Sequence, residues 1–227
     1  MKHEKIFQKV RKLIDERETD DANLETARDE LFALVEKDST CDWAYGLLAE
    51  INYWFGENSE DAEDRVAFFD EGVQCGEAAI GIDENSLEGN FWLAVNYGSF
   101  GQEKGIMQSL ALIQPMKQAA ERAAAIDESY FYGGPHRVLG RLYHKAPGFP
   151  FSIGSAKKAI ESLEKAVALG PKFFLNRIFL AEAYAANRDR QKAREQLEWI
   201  LAAPLNNNHE REDEDYKRQA ETILKSL

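Results

Sequence analysis

The sequence predicts an all-helical protein of about five antiparallel helix pairs followed by a C-terminal capping helix. Three observations predict this. Similar helix ends recur along the chain, each is followed by a large residue and then a small one at helical spacing, and the distance between the two signals is nearly constant.

The helix ends are Ala78-Ala79-Ile80-Gly81-Ile82-Asp83-Glu84-Asn85, Ala123-Ala124-Ala125-Ile126-Asp127-Glu128-Ser129 and Ala166-Val167-Ala168-Leu169-Gly170-Pro171, whose alanine markers lie 44 and 43 residues apart. The large-small pairs are Leu48-Ala49, Leu93-Ala94, Leu139-Gly140 and Leu180-Ala181, the last three followed by Tyr97, Tyr143 and Tyr184. Marker and pair are separated by 14 residues from Leu34 to Leu48, Ala79 to Leu93 and Ala166 to Leu180, and by 16 from Ala123 to Leu139. A second helix type carries Ala27, Leu31 and Leu34, then Ala159, Leu163 and Ala166, then Ala193, Leu197 and Ile200, a spacing that puts each trio on one helical face. Two antiparallel helices with small residues at their contact, in a unit of about 34 residues, form the tetratricopeptide repeat, so the fold class read here is an all-α, tetratricopeptide-like helical-pair solenoid.

Boundaries follow from breakers and caps. Helix pairs are expected at about 3–38, 42–83, 87–127, 133–170 and 174–203, with a last helix at about 209–226, all within one domain, 1–227. Pro171 and Pro204 follow second helices, and Gly133-Gly134-Pro135 opens the helix that holds Leu139. Glu210, Glu212, Asp213, Glu214 and Asp215 place negative charge where the final helix begins, complementing its dipole. From first-helix residue to second-helix marker the spacing is 20 residues for Ile14 to Leu34 and for Leu180 to Ile200, but 31, 30 and 27 in the three middle pairs. The extra residues include Gly56–Asp61, Gly98–Gly105 and Ala146–Gly154, and their composition predicts three lengthened loops forming a rim on one edge.

Composition bounds the function. The 227 residues are 44% hydrophobic, ordinary for a globular protein, and the net charge of −12 is spread along the chain, which disfavours nucleic acid and anionic membranes as partners of the surface as a whole. Cys41 and Cys75 have no metal-type spacing with His3, His136, His144 and His209, and are read as free thiols. No apolar leader and no run of about 20 apolar residues is present, so membrane insertion is not expected and the sequence as it stands reads as cytoplasmic, or periplasmic if a leader precedes it. Hydrolase, nucleotide-binding and metalloprotease motifs do not occur, and neither a catalytic set nor a cofactor or metal is predicted.

The run Phe91-Trp92-Leu93-Ala94-Val95-Asn96-Tyr97-Gly98, then Gly105-Ile106, then Tyr132-Gly133-Gly134-Pro135-His136-Arg137-Val138-Leu139-Gly140-Arg141, is similar to two related groups. One is the T-component (TatT) family of tripartite ATP-independent periplasmic transporter systems, the other the regulator of microtubule dynamics family. The resemblance covers roughly 87–204 and continues through Ala159-Ile160-Glu161-Ser162-Leu163-Glu164-Lys165-Ala166. It implies a tetratricopeptide scaffold without catalysis, and the T-component case implies association with the binding subunit of an organic-acid transporter.

In stacked helix pairs the first helices line the concave surface. That register directs Gly46, Glu50, Tyr53, Trp54, Phe91 and Val95 inward, and from the later pairs Arg137, Arg141, His144, Lys145, Ile178 and Glu182. Arg137, Arg141, His144 and Lys145 form one stripe of one helix and suit a carboxylate or a peptide terminus, the alternative being internal pairing with Glu182 or Glu50. Tyr53, Trp54 and Phe91 belong to an aromatic set that is either core or ligand cage. His136 is read as structural, with Tyr132 as its hydrogen-bond companion, and Asn90 and Asn96 as fasteners of loop backbone. The function expected is a non-catalytic scaffold that binds a protein or peptide partner, with a carrier of a small organic acid or lipid-like ligand in an enclosed pocket as the alternative.

Overall fold

The computed structural model describes residues 3–227, and Met1 and Lys2 lie outside the described residues. Among the described residues there are eleven helices and no strand beyond an isolated bridge between Gly148 and Gly154. They pair in chain order: α1 (Glu4–Asp15) with α2 (Ala22–Lys37), α3 (Asp42–Asn58) with α4 (Ala62–Ile82), α5 (Leu87–Lys104) with α6 (Ile106–Ile126), α7 (Tyr130–Lys145) with α8 (Ala156–Leu169), and α9 (Phe174–Ala186) with α10 (Arg190–Ala202). The last helix, α11 (Glu210–Ser226), packs on α9 and α10. The protein is an all-helical array of tetratricopeptide-like pairs, and Leu93, Leu139 and Leu180 are all buried, as the repeat register requires.

The chain divides into two compact units, Met1–Ile126 and Asp127–Leu227, where the sequence reading takes 1–227 as one. In the first unit α3 packs on both α4 and α5, around Leu47, Leu48, Ile51, Phe69, Trp92 and Leu93, all at or near complete burial. In the second, Leu163, Phe174, Ile178, Leu180, Leu197 and Ile200 form one apolar cluster sealed by Ala220 of α11. Removing these side chains from water drives the packing, at about 1.5–3 kcal/mol for each large residue.

Of the three expected loops, Gly98–Gly105 is helix up to its last residue and Gly56–Asp61 is half helix. α3 continues to Asn58 and α5 to Lys104, leaving three residues before α4 and only Gly105 before α6, and the extra length goes into all four helices, of 17, 21, 18 and 21 residues in chain order. Glycine was misleading here because it serves close packing inside a helix. A Cβ at Gly101 would stand 3.1 Å from Ser109 Cα of α6, and Ser109 Oγ donates to Gly101 O at 2.7 Å across that contact. The segment between α7 and α8 is a true loop.

Asn96 also departs from expectation. It fastens helix to helix, its Nδ2 donating to Ala49 O of α3 and to Trp92 O, both at 2.9 Å. Asn90 does hold a connection, donating to Glu84 O and Ser86 O ahead of α5.

Gly140 sits where α7 meets α8, and a Cβ there would lie 2.5 Å from Leu163 Cγ and 3.2 Å from Ala159 O. Gly140→Leu is therefore expected to cost about 1–3 kcal/mol by overpacking. Thermal unfolding checks this, and an unchanged Tm would show that the two helices have room to separate.

Candidate partner-binding site

The stripe predicted on α7 is present, but its members have different fates. Arg137 is 5% exposed. Its Nη1 donates to Asn176 Oδ1 of α9 at 3.0 Å and to Phe131 O at 3.3 Å, and its guanidinium lies 4.7 Å above the Phe173 ring. As one fork of an open anion site Arg137 is corrected by its burial, because its charge is spent on fastening the start of its own helix to α9.

That start is unusual. Phe131, Tyr132 and Gly133 are all left-handed, with φ of 46°, 62° and 75°. Two bulky residues in that region are strained unless their surroundings fix them. Asn176, fully buried, supplies much of the fixing: its Nδ2 donates to Tyr132 O at 2.8 Å, Ala166 O at 2.9 Å and Gly170 O at 3.2 Å. Gly133 abuts Ala166 O, where a Cβ would stand at 2.9 Å. Tyr132 stacks on Phe173 with ring centres 4.9 Å apart, so it is not the companion of His136. His136 Nε2 instead lies 3.5 Å from Glu128 Oε2, and burial, then the nearby Lys165, lower its pKa. Thus the Tyr-Gly-Gly-Pro-His-Arg run encodes a backbone device. Asn176 was missed because an asparagine 39 residues from its arginine gives no periodic signal.

The far end of the stripe reaches the surface. Arg141 pairs with Glu182 of α9 and lies 4.2 Å above the Phe179 ring, while Lys145 Nζ is 3.8 Å from the same carboxylate. His144 sits beside them, and burial, then Lys145 and Arg141, push its pKa below the usual value against the opposing pull of Glu182. Arg141 and Lys145 therefore face one carboxylate, so this face keeps an excess of positive charge after its internal pairing.

In the first unit the expected groove residues are packed away. Phe91 is fully buried and Trp54 nearly so, and with Tyr53 and Trp92 they form edge and tilted ring contacts: 4.9 Å for Phe91–Trp92, 4.9 Å for Tyr53–Trp54 and 5.4 Å for Tyr53–Trp92. Side chains of α1 and of the turn that follows it lie against α3 here. Arg17 lies 3.8 Å above the Trp54 ring, and Arg11 grips Glu50 with two bonds of 2.6 Å. Glu50, the other carboxylate considered for the stripe, is completely buried in that pair. Tyr53 is half-buried. Cys41 and Cys75 are free thiols, and burial pushes Cys75 up to about 12, which keeps it an unreactive neutral thiol.

The profile of the family described as "Regulator of microtubule dynamics protein 1-3" matches residues 6–146 and 149–227. No curated protein matches the chain. Among solved structures it is similar to TTC0263, a thermophilic TPR protein of Thermus thermophilus, at 16% identity and a TM-score of 0.65 over 89% of this chain and 91% of that one. Two structures of MamA are also similar, at 16% identity and TM-score 0.52 over 94% and 95% of the two chains, and at 18% and 0.53 over 87% and 94%. At these identities the likeness concerns the fold.

Proposed function

The chain belongs to the regulator of microtubule dynamics protein 1-3 family, and from its tetratricopeptide-type helix pairs we propose that it is a non-catalytic scaffold that binds a carboxylate-bearing segment of a protein partner. The observation that carries this reading is the surface end of α7, where Arg141 and Lys145 share the carboxylate of Glu182 in a protein of net charge −12. Arginine offers paired donors in a plane that matches a carboxylate, and hydrogen bonds between charged groups are stronger than neutral ones. An incoming aspartate, glutamate or chain terminus would share Arg141 with Glu182 and take up Lys145. The enclosed-pocket alternative loses two of its lining residues, since Trp54 and Phe91 are packed as core.

The test is capture of partners from host lysate on the immobilised chain, comparing wild type with Arg141→Gln/Lys145→Gln. The expected result is a loss of about tenfold or more in the principal captured protein, consistent with roughly 1.5–3 kcal/mol per charged hydrogen bond. Helical circular dichroism should be unchanged. If the variant melts lower yet captures as well as wild type, these residues serve internal pairing alone and the reading fails.

A further inference from the structure

Two of the most exposed large apolar residues of the described chain are neighbours, Phe149 at 93% and Phe151 at 87%, in the loop between α7 and α8. The loop is not slack. Phe151 N and Ser152 N both donate to Gly148 O, Gly154 N donates to Pro147 O at 2.8 Å, and Ser155 N donates to Tyr143 O at 3.0 Å, closing the base onto α7. Single exposed apolar residues are ordinary on protein surfaces. Two aromatic rings displayed together by a hydrogen-bonded turn are a different case, because folding gains nothing from leaving them in water.

The charge around them is the second observation. From Ser129 to Ile160 there is no aspartate or glutamate, and of the basic residues in that span Arg137 is buried and Arg141 is paired with Glu182, leaving Lys145, Lys157 and Lys158 at the surface of a chain whose net charge is −12. Lys145 and Lys157 flank the loop and are exposed, and their nearest carboxylates, Glu182 and Glu161, stand at 3.8 Å, outside hydrogen-bond distance. Lys158 is exposed as well, its ammonium 5.4 Å from the Tyr143 ring.

We propose that this loop is a membrane-docking tip, with Phe149 and Phe151 entering the interfacial layer of an anionic bilayer while Lys145, Lys157 and Lys158 meet its headgroups. Side chains this exposed line no groove and cannot close over a partner's side chain. They are buried only by something that opens to admit them, and a lipid interface does so without a preformed pocket. An aromatic tip ringed by lysines has the chemistry of interfacial anchoring, apolar insertion reinforced by attraction to acidic lipid. Glu182 and Glu161 offset part of the charge of Lys145 and Lys157, while acidic residues more than about 8–10 Å away are screened at physiological salt. No helix of the described chain is long and apolar enough to cross a membrane, and the contact proposed here is one of docking.

The full chain would be sedimented with phosphatidylcholine vesicles containing about 30% phosphatidylserine, and with phosphatidylcholine alone. Wild type is expected to bind the anionic vesicles preferentially and to be released by added salt. Phe149→Ala/Phe151→Ala and, separately, Lys157→Glu/Lys158→Glu should each lower binding by about tenfold or more with unaltered circular dichroism. A Phe149→Trp variant should show quenching by brominated lipid beyond that of wild type. The proposal is overturned if wild type stays in the supernatant, or if the double phenylalanine variant binds like wild type. If wild type ignores vesicles and that variant instead loses a protein partner, the loop docks protein and the membrane assignment falls. None of these variants touches Arg141 or Glu182, so the carboxylate-binding reading of α7 stands or falls separately.

Discussion

Arg11→Ala is expected to destabilise the first unit by about 3–5 kcal/mol, because it leaves the fully buried Glu50 carboxylate without its two guanidinium bonds. Trp54 Nε1, 3.4 Å from Glu50 Oε1, compensates only weakly. Chemical denaturation measures the loss. The same argument predicts that Arg11→Met/Glu50→Leu recovers most of it, since an apolar pair of similar volume carries no desolvation penalty. If Arg11→Ala unfolds at the wild-type midpoint, water reaches Glu50 and the pair is not a structural lock. The pair bears on the candidate site because Arg11 of α1 holds Glu50 of α3 while Arg17, in the turn after α1, lies over the Trp54 ring.

Asn176→Ala is expected to cost the second unit about 3 kcal/mol or more. Its amide donates to three carbonyls and its oxygen accepts from buried Arg137, and each buried polar group left unsatisfied costs roughly 1–3 kcal/mol. The left-handed Phe131-Tyr132-Gly133 turn should loosen along with α7, so hydrogen exchange of the Gly133 amide, which donates to Ser129 O, should accelerate more than that of the α9 core. Wild-type exchange at Gly133 in a destabilised Asn176→Ala protein would show that the turn is fixed by its ring stacking and by Arg137, not by this asparagine.

How much of the site was legible follows from which of its signals are local. The i, i+4, i+7, i+8 spacing of Arg137, Arg141, His144 and Lys145 places them on one face of α7 whatever surrounds it. Whether each ends at the surface depends on α9, which contributes Asn176 to bury Arg137 and Glu182 to share Arg141 and Lys145. Likewise the register singled out Trp54 and Phe91, but only tertiary packing, with Arg17 over the Trp54 ring and Phe91 against Trp92, makes them core.

By itself the sequence determined the all-helical class, the pairing of helices in chain order, the burial of Leu93, Leu139 and Leu180, and the close contact at Gly140, since each rests on helical periodicity and on side-chain size at a repeated position. Only the tertiary structure decided that the glycine-bearing insert after Tyr97 is helix rather than loop, that Glu50 belongs to Arg11, and that Asn176 clamps a left-handed turn. The last two depend on polar groups 39 and 44 positions apart, where burial sets the energy of a contact and no local pattern records it.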